Sequence, residues 1–336
     1  MDKKIRTVVI GCGHLGKLHL KNLLELSKER NDMELTGIYD INHDVTEELS
    51  KKYNISAFTD ISSLLENADA AIIVSTTSSH FEIAQMTINK NIHTFIEKPV
   101  TDNLENAHLL QEMQKDKNIK IQIGHIERFN PALLSLQNLK LNPKFIECHR
   151  LSQFNPRGTD VSVIQDLMIH DIDIILSLVN SDVKQIDSNG VEVITEKIDI
   201  ANTRLQFENG CVANITSSRI SQKKMRKMRI FQEAAYISLD FLNNSSEIFR
   251  LVKSDENEGI KAIPGFSLGE IEYKGSLYKI LYEQPQFEDI NPMKYEQNKF
   301  FDSIINNTTP EVTLENGIEA LIIADKIITQ IEKQNL

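Results

Sequence analysis

Ile5-Arg6-Thr7-Val8-Val9-Ile10 runs directly into Gly11-Cys12-Gly13-His14-Leu15-Gly16; a helical pattern follows, and Asp40 closes the next apolar run, Leu35-Thr36-Gly37-Ile38-Tyr39. Strand, glycine turn, helix and acid in this order make a complete dinucleotide-binding unit. Gly11 permits the tight strand-to-helix turn, Gly13 lets the backbone approach a pyrophosphate, and Gly16 lets the helix pack closely on its strand. The phosphates are expected on the free N–H groups at the helix N-terminus, around His14 and Leu15, where the helix dipole favours negative charge. Asp40 at the strand end can accept both hydroxyls of an adenosine ribose and would repel a 2′-phosphate, and no arginine follows it. The expected cofactor is NAD rather than NADP.

Working outward, 336 residues exceed what one core usually serves, so two domains are expected. With 37 basic against 48 acidic residues the net charge is -11, which argues against nucleic acid or a membrane surface as partner. A phosphorylated small molecule stays compatible, because a few local arginines outweigh a screened distant field. Cys12, Cys148 and Cys211 have neither paired nor metal-ligand spacing and fit a reducing compartment. Met1-Asp2-Lys3-Lys4 leads at once into the first strand, and no apolar run reaches bilayer length, so a cytoplasmic location is expected.

From Ile5 to about Arg150, short apolar strands alternate with amphipathic helices: Ala70 to Val74, a helix from about Phe81 to Asn89, Ile92 to Ile96, a helix from Leu104 to Gln114, and Ile119 to Ile123. The alternation predicts an α/β fold with an N-terminal Rossmann doubly wound parallel sheet, the NAD-binding domain, over 1–124. Beyond about Asp182 extended runs dominate. Ile200 to Glu208, a two-residue turn Asn209-Gly210, and Cys211 to Ser218 read as a hairpin. Met228 to Phe231, Tyr236 to Phe241 and Glu247 to Val252 continue a mostly antiparallel sheet in a second α/β domain, 125–336. Two closing helices near Pro292 to Asn306 and Glu315 to Ile331 are expected to pack back on the first domain.

Two constellations point to chemistry. Glu97-Lys98-Pro99 sits at the C-terminal end of a strand, the edge at which such sheets bind ligands. A lysine partly desolvated there suits proton transfer; an ordinary surface lysine would have the same local sequence. In Ser162 to Val179, read at a regular helical 100° per residue, Asp166, His170, Asp173 and Ser177 form a polar stripe on an otherwise apolar helix that also carries Asp171. Asp166 one turn before His170 can orient the imidazole as a general base, or the two can form a structural contact in the core. No further His or Cys lies at ligand spacing, so no metal is expected.

Around these, Ser75, Thr76, Thr77, Ser79 and His80 follow a strand end; Ser75, Thr76 and His80, with Glu97 and Lys98, are candidate cofactor contacts, whereas Ser79 reads as a helix cap. His125, Glu127, Arg128 and Asn130 follow the next strand end and, with Asp173, are candidates for the substrate side. Arg150 and Arg157 flank a loop that can offer bidentate hydrogen bonds to a phosphorylated substrate. Lys223 to Arg229 alternates like a strand with one solvated face.

The glycine unit, Glu97-Lys98-Pro99, and Asp166 followed by His170 together resemble the glucose-fructose oxidoreductase and inositol dehydrogenase family, Gfo/Idh/MocA, over essentially the whole chain. The resemblance implies a Rossmann domain followed by an α/β domain with an open, mostly antiparallel sheet used for dimer or tetramer contacts, and Lys98, Asp166 and His170 as the catalytic set. It departs at Thr77, where the family usually has proline after the fourth strand. Within the family, Gly124 to Pro131, Pro156 to Asp160 and Asp166 to Asp173 look most like the subgroup that oxidises carbon 3 of UDP-N-acetylglucosamine. That similarity implies a UDP-sugar substrate and a pathway aminotransferase that uses the keto product for diamino-sugar lipid A. A dehydrogenase of a free sugar, an inositol or a sugar acid is the alternative within the class. A non-catalytic NAD-binding regulatory protein is the alternative outside it, and the intact Lys98, Asp166 and His170 argue against that one.

Overall fold

The computed structural model describes residues 4–156, 161–254 and 265–334. Strands and helices alternate first: β1 (Ile5–Ile10), α1 (His14–Glu29), β2 (Met33–Tyr39), α2 (His43–Tyr53), α3 (Ile61–Leu65), β3 (Ala70–Ile73), α4 (Thr77–Asn89), β4 (His93–Glu97), α5 (Leu104–Gln114) and β5 (Ile121–Gly124). A 3-10 turn, Ile126–Phe129, leads through α6 (Pro131–Leu134) and β6 (Phe145–Leu151) to a π-helical turn, Ile164–Met168, that continues as α7 (Ile169–Leu178). Strands β7 (Val183–Val191), β8 (Ile200–Phe207), β9 (Val212–Ser218), β10 (Met225–Gln232), β11 (Ala235–Asp240), β12 (Ser245–Lys253), β13 (Gly265–Tyr273) and β14 (Ser276–Glu283) follow, then α8 (Pro292–Ile305) and α9 (Leu314–Gln334).

Two compact units result, Met1–Ile126 with Ile290–Leu321, and Glu127–Asp289 with Ile322–Leu336. In the first, a parallel sheet runs β2-β1-β3-β4-β5 among the described residues. A single parallel bridge, Ile38 to Ala57, adds a residual strand outside β2. Counting it restores the usual Rossmann order, with the crevice at the switch point between β1 and β3. The sheet centre is dry: Val9, Ile72 and Phe95 are fully buried, and Leu20 and Leu23 of α1 and Phe300 and Phe301 of α8 join the same core. Thr77 opens α4 at its first helical position, a place that favours proline for its fixed φ but tolerates other residues.

In the second unit the described strands form a mixed sheet in the order β13-β14-β12-β11-β10-β6-β9-β8-β7. Only β6 and β9 pair in parallel; the other pairs are antiparallel. One face carries Ile146, Ile215, Met228, Ile237 and Ile248, all buried, with α7 packed on β6 and the π turn on β9. On the other, Phe145, Phe231, Tyr236, Phe249, Tyr282 and Phe266 stand in register across six strands as a ladder of tilted and edge-on ring contacts. Three sequence expectations are corrected. The hairpin turn spans three residues, Glu208 to Gly210, because Phe207 already pairs with Cys211 and Gly210 takes the left-handed conformation at φ 83°, the one-residue bulge such loops need. Phe145–Leu151 is a strand of the second sheet rather than part of the Rossmann alternation. Ser162 to Val179 is not one regular helix. Among the described residues no helix is long and apolar enough to cross a membrane.

Candidate active site

In the first unit, the loops at the C-terminal edge of the parallel sheet carry the cofactor candidates. Gly11 adopts φ +98°, and a Cβ there would lie 2.5 Å from Ser75 N, so only glycine lets the turn pass beneath the chain leaving β3. A Cβ on Gly16 would collide with Gly11 O, which welds α1 to the turn that precedes it. Gly13 is the N-cap of α1, has no side-chain cap bond, and has open space where its Cβ would be. His14 and Leu15 are exposed in the first helical turn. An uncapped helix end with a bare approach is what a pyrophosphate requires. Asp40 follows β2, and its carboxylate accepts the Cys12 N–H at 2.6 Å and the Asn42 N–H at 2.9 Å, which aims it at the turn while leaving lone pairs for a ribose. These residues fit NAD, which when bound supplies the hydride acceptor.

The next two strand ends are tied together. Thr76 is the N-cap of α4, so the cap expected at Ser79 falls there instead; the Ser79 hydroxyl lies inside the first turn, 2.7 Å from Ser75 Oγ and 2.8 Å from Thr76 O. The sequence puts His80 among the cofactor candidates, but it is 1% exposed with Nδ1 3.0 Å from Pro99 O and Nε2 3.2 Å from Ser75 O. Its ring therefore fastens the Lys98–Pro99 turn, a cis peptide, to the chain after β3. Burial lowers the His80 imidazole below its ordinary value and outweighs the two carbonyls that favour a second proton. Glu97 is likewise buried, with Oε1 2.7 Å from His19 Nε2 and Oε2 accepting the Lys98 N–H at 3.2 Å. Glu97 is thus placed to hold the Lys98 backbone. Burial pushes its carboxyl up, but the His19 bond and the Lys98 charge outweigh that and hold it below the usual range. His125, just beyond β5, is buried.

In the second unit the π turn Ile164–Met168 carries Asp166, and His170 lies in the first turn of α7; both are half-buried. A π turn holds more residues than an α turn, so the regular 100° stripe does not carry through from Asp166 to His170. From His170 onward the helix is regular: Asp173 is buried, and Ser177 is exposed. Asp173 receives a bidentate Arg128, at 2.7 Å and 2.9 Å. Arg150, expected to reach a phosphorylated substrate, is 2% exposed and spends its donors inside the protein. It holds Asp171 through Nε and Nη2, at 2.9 Å and 2.8 Å, and Glu127 through Nη1 at 2.8 Å. Burial lowers its guanidinium, yet the charges of Asp171 and Glu127 outweigh this and hold it above its ordinary value. Asn130 is also structural, capping α6 through the Ala132 N–H and donating to Phe241 O. Both substrate assignments are therefore corrected: buried carboxylates and a helix end claimed these side chains. Arg157 lies outside the described residues. Glu127, Arg150 and Asp171, with Arg128 and Asp173, pin the turn after β5 to the helix that presents His170.

Sequence reasoning missed His19, Asp171 as the partner of Arg150, and Gly124. A Cβ on Gly124 would meet the Glu97 carboxylate at 2.9 Å, so this glycine makes the niche for a buried ion. The available signal was an ionisable residue on the apolar face of α1, three positions past Gly16. Among the described residues no group of His, Cys, Asp and Glu is arranged to hold a metal ion.

Comparison with known proteins agrees with this architecture. Residues 5–125 match the oxidoreductase family with an NAD-binding Rossmann fold, and residues 144–238 match the GFO/IDH/MocA C-terminal domain. The UDP-N-acetylglucosamine 3-dehydrogenase of Acidithiobacillus ferrooxidans is 36% identical over 262 residues, 78% of this chain and 80% of that enzyme. A solved structure of that enzyme superposes with a TM-score of 0.85 at 31% identity, covering 98% of this chain and 97% of that one. The myo-inositol 2-dehydrogenase of Thermotoga maritima is 27% identical over 64% of this chain and 69% of its own length. Levoglucosan dehydrogenase in complex with NADH shares the fold, with a TM-score of 0.81 at 16% identity over 98% of each chain. The glycine turn, the Glu97-Lys98-Pro99 strand end and the two matched domains establish that this chain belongs to the Gfo/Idh/MocA family of NAD-binding oxidoreductases.

Proposed function

We propose that the protein oxidises carbon 3 of UDP-N-acetylglucosamine to the 3-keto sugar, with NAD as oxidant. One observation carries this: Lys98 stands at the C-terminal edge of an NAD-binding sheet in a chain that aligns over most of its length with an enzyme named for that reaction. His170 takes the hydroxyl proton, held in orientation by Asp166, and Lys98 hydrogen-bonds the same oxygen and stabilises its developing negative charge. Hydride leaves carbon 3 as the carbonyl forms. The product is a ketone on an otherwise intact nucleotide sugar, the substrate of an aminotransferase that installs nitrogen at that carbon for a diamino-sugar lipid A. The half-exposed aromatic ladder of the second unit supports a homodimer or homotetramer, and the composition supports a cytoplasmic location. Arg157 is the remaining candidate for the diphosphate.

The test is nicotinamide absorbance with NAD and UDP-N-acetylglucosamine, other UDP-sugars, free N-acetylglucosamine and inositol, with a carbonyl trap present. Reduction with UDP-N-acetylglucosamine is expected, and Lys98→Met and His170→Ala should each lose at least about two orders of magnitude in turnover while NAD binding survives. Normal turnover in both variants, or reduction only by a free sugar, refutes the assignment. Arg157→Ala should raise KM for the UDP-sugar.

A further inference from the structure

A buried polar chain runs beneath the strand end that carries Lys98. Gln297 of α8, fully buried, places its Nε2 2.8 Å from His19 Nδ1 and 3.3 Å from the His19 carbonyl oxygen. A carbonyl oxygen accepts only a donor, so the amide nitrogen faces this way, and His19 Nδ1 is the acceptor of its second contact. The proton of the imidazole then sits on Nε2, which donates to Glu97 Oε1 at 2.7 Å. The second oxygen of Glu97 accepts the Lys98 N–H. Gly124 of β5 leaves the room that the carboxylate occupies.

We propose that His19 and Gln297 are positioning residues for Lys98: Gln297 sets the His19 tautomer, His19 holds the Glu97 carboxylate against the end of β4, and that carboxylate fixes the backbone from which Lys98 projects. The same helix, α1, offers its N-terminus to the cofactor phosphates, so the relay ties the cofactor seat and the lysine to one rigid frame. A misplacement of about 1 Å at a reacting group costs on the order of a hundredfold in rate, so a role in placement reaches turnover without any contact to substrate. The titratable groups around the Glu97 carboxylate are His19 from α1, His80 from α4 and Lys98 beside it, while α8 contributes the neutral Gln297 and β5 the bare Gly124. His19 therefore acts through Glu97, and its loss should disturb the pH dependence of turnover as well as its size.

This inference rests on the reading of Lys98 as a catalytic residue, and the experiment separates the two. His19→Leu, His19→Gln, Gln297→Leu and Lys98→Met are compared by NAD affinity, thermal midpoint and the pH profile of kcat with NAD and UDP-N-acetylglucosamine. His19→Leu should lose about tenfold or more in kcat and displace a limb of the profile, with NAD affinity kept within about threefold. His19→Gln, whose amide N–H can reach the same carboxylate, should recover part of the loss, and Gln297→Leu should show a smaller change of the same kind. Wild-type kcat and profile in a folded His19→Leu, or a loss confined to NAD affinity or thermal midpoint, overturns the proposal while an inactive Lys98→Met leaves the catalytic reading standing. Should His19→Leu not fold, Gln297→Leu decides by the same criterion. Full activity in Lys98→Met removes the catalytic reading instead.

Discussion

Replacing Arg150 with methionine separates a structural arginine from a phosphate-binding one. In the parent, Arg150 is 2% exposed and gives two hydrogen bonds to Asp171 and one to Glu127. Glu127 keeps a second cation when Arg150 is lost, because Arg226 lies 3.1 Å away. Asp171 is 3% exposed and, among the described residues, takes its side-chain hydrogen bonds from Arg150, so the cost falls on it. Breaking a buried ion pair from one side costs about 3–5 kcal/mol, chiefly the price of an uncompensated charge. For a unit of this size each kcal/mol moves the thermal midpoint by about 2–4 °C, so Arg150→Met should lower it by on the order of 10 °C. Burial already pushes the Asp171 carboxyl up against the pull of Arg150. Without the arginine it rises further, so the folded variant holds that proton more tightly than the unfolded chain does. The deficit should then be smallest below the ordinary aspartate range and grow as pH rises through the raised folded value. Asp171→Asn added to Arg150→Met should recover part of the loss, because the stranded charge is gone. Thermal melts monitored by circular dichroism across pH 5 to 8, with KM for the UDP-sugar, check all three statements. A midpoint within about 2 °C of the parent together with a selective rise in KM would refute the structural assignment.

Four further variants have expected outcomes. Gly124→Ala should cost about 1–3 kcal/mol by overpacking and lower kcat, since its Cβ would press on the Glu97 carboxylate at 2.9 Å, whereas Gly13→Ala should leave the melt unchanged and weaken NAD binding, since its Cβ meets nothing. Asp40→Ala should lose at least about tenfold in NAD affinity and narrow the preference over NADP, read by titration with both cofactors. Burial lowers the His80 imidazole below its ordinary value, so the folded state binds its proton less readily than the unfolded chain. The stability it contributes is present above the ordinary histidine range and lost as pH falls through that range toward the depressed folded value; His80→Gln should flatten that part of a stability–pH curve measured by urea unfolding.

How far the sequence could be read depended on whether a residue's task is local. Gly11, Gly13, Gly16 and Asp40 act within one strand-turn-helix unit, and their spacing alone reports them. Glu97-Lys98-Pro99 declares itself by standing at a strand end, and the antiparallel hairpin by its turn residues and extended flanks. Arg150 was misread because an arginine beside a loop looks the same whether its partner is a phosphate or a carboxylate, and Asp171 reaches it only through packing of α7 on β6. The π turn was invisible because its apolar residues fit an α period equally well over five positions. Ala57 gave no strand signal, since a single bridge needs no alternation. His19, Glu97 and Gln297 come from three elements remote in sequence, and only the folded core shows that their polar atoms satisfy one another.

The proposed reaction passes hydride from carbon 3 of UDP-N-acetylglucosamine to NAD. UDP-N-acetylglucosamine carrying deuterium only at carbon 3, incubated with the protein, NAD and a carbonyl trap, tests it in one experiment read by mass spectrometry of the nicotinamide product. Deuterated NADH formed in step with the trapped keto sugar is the predicted result; unlabelled NADH, or none while NAD remains bound, would contradict it.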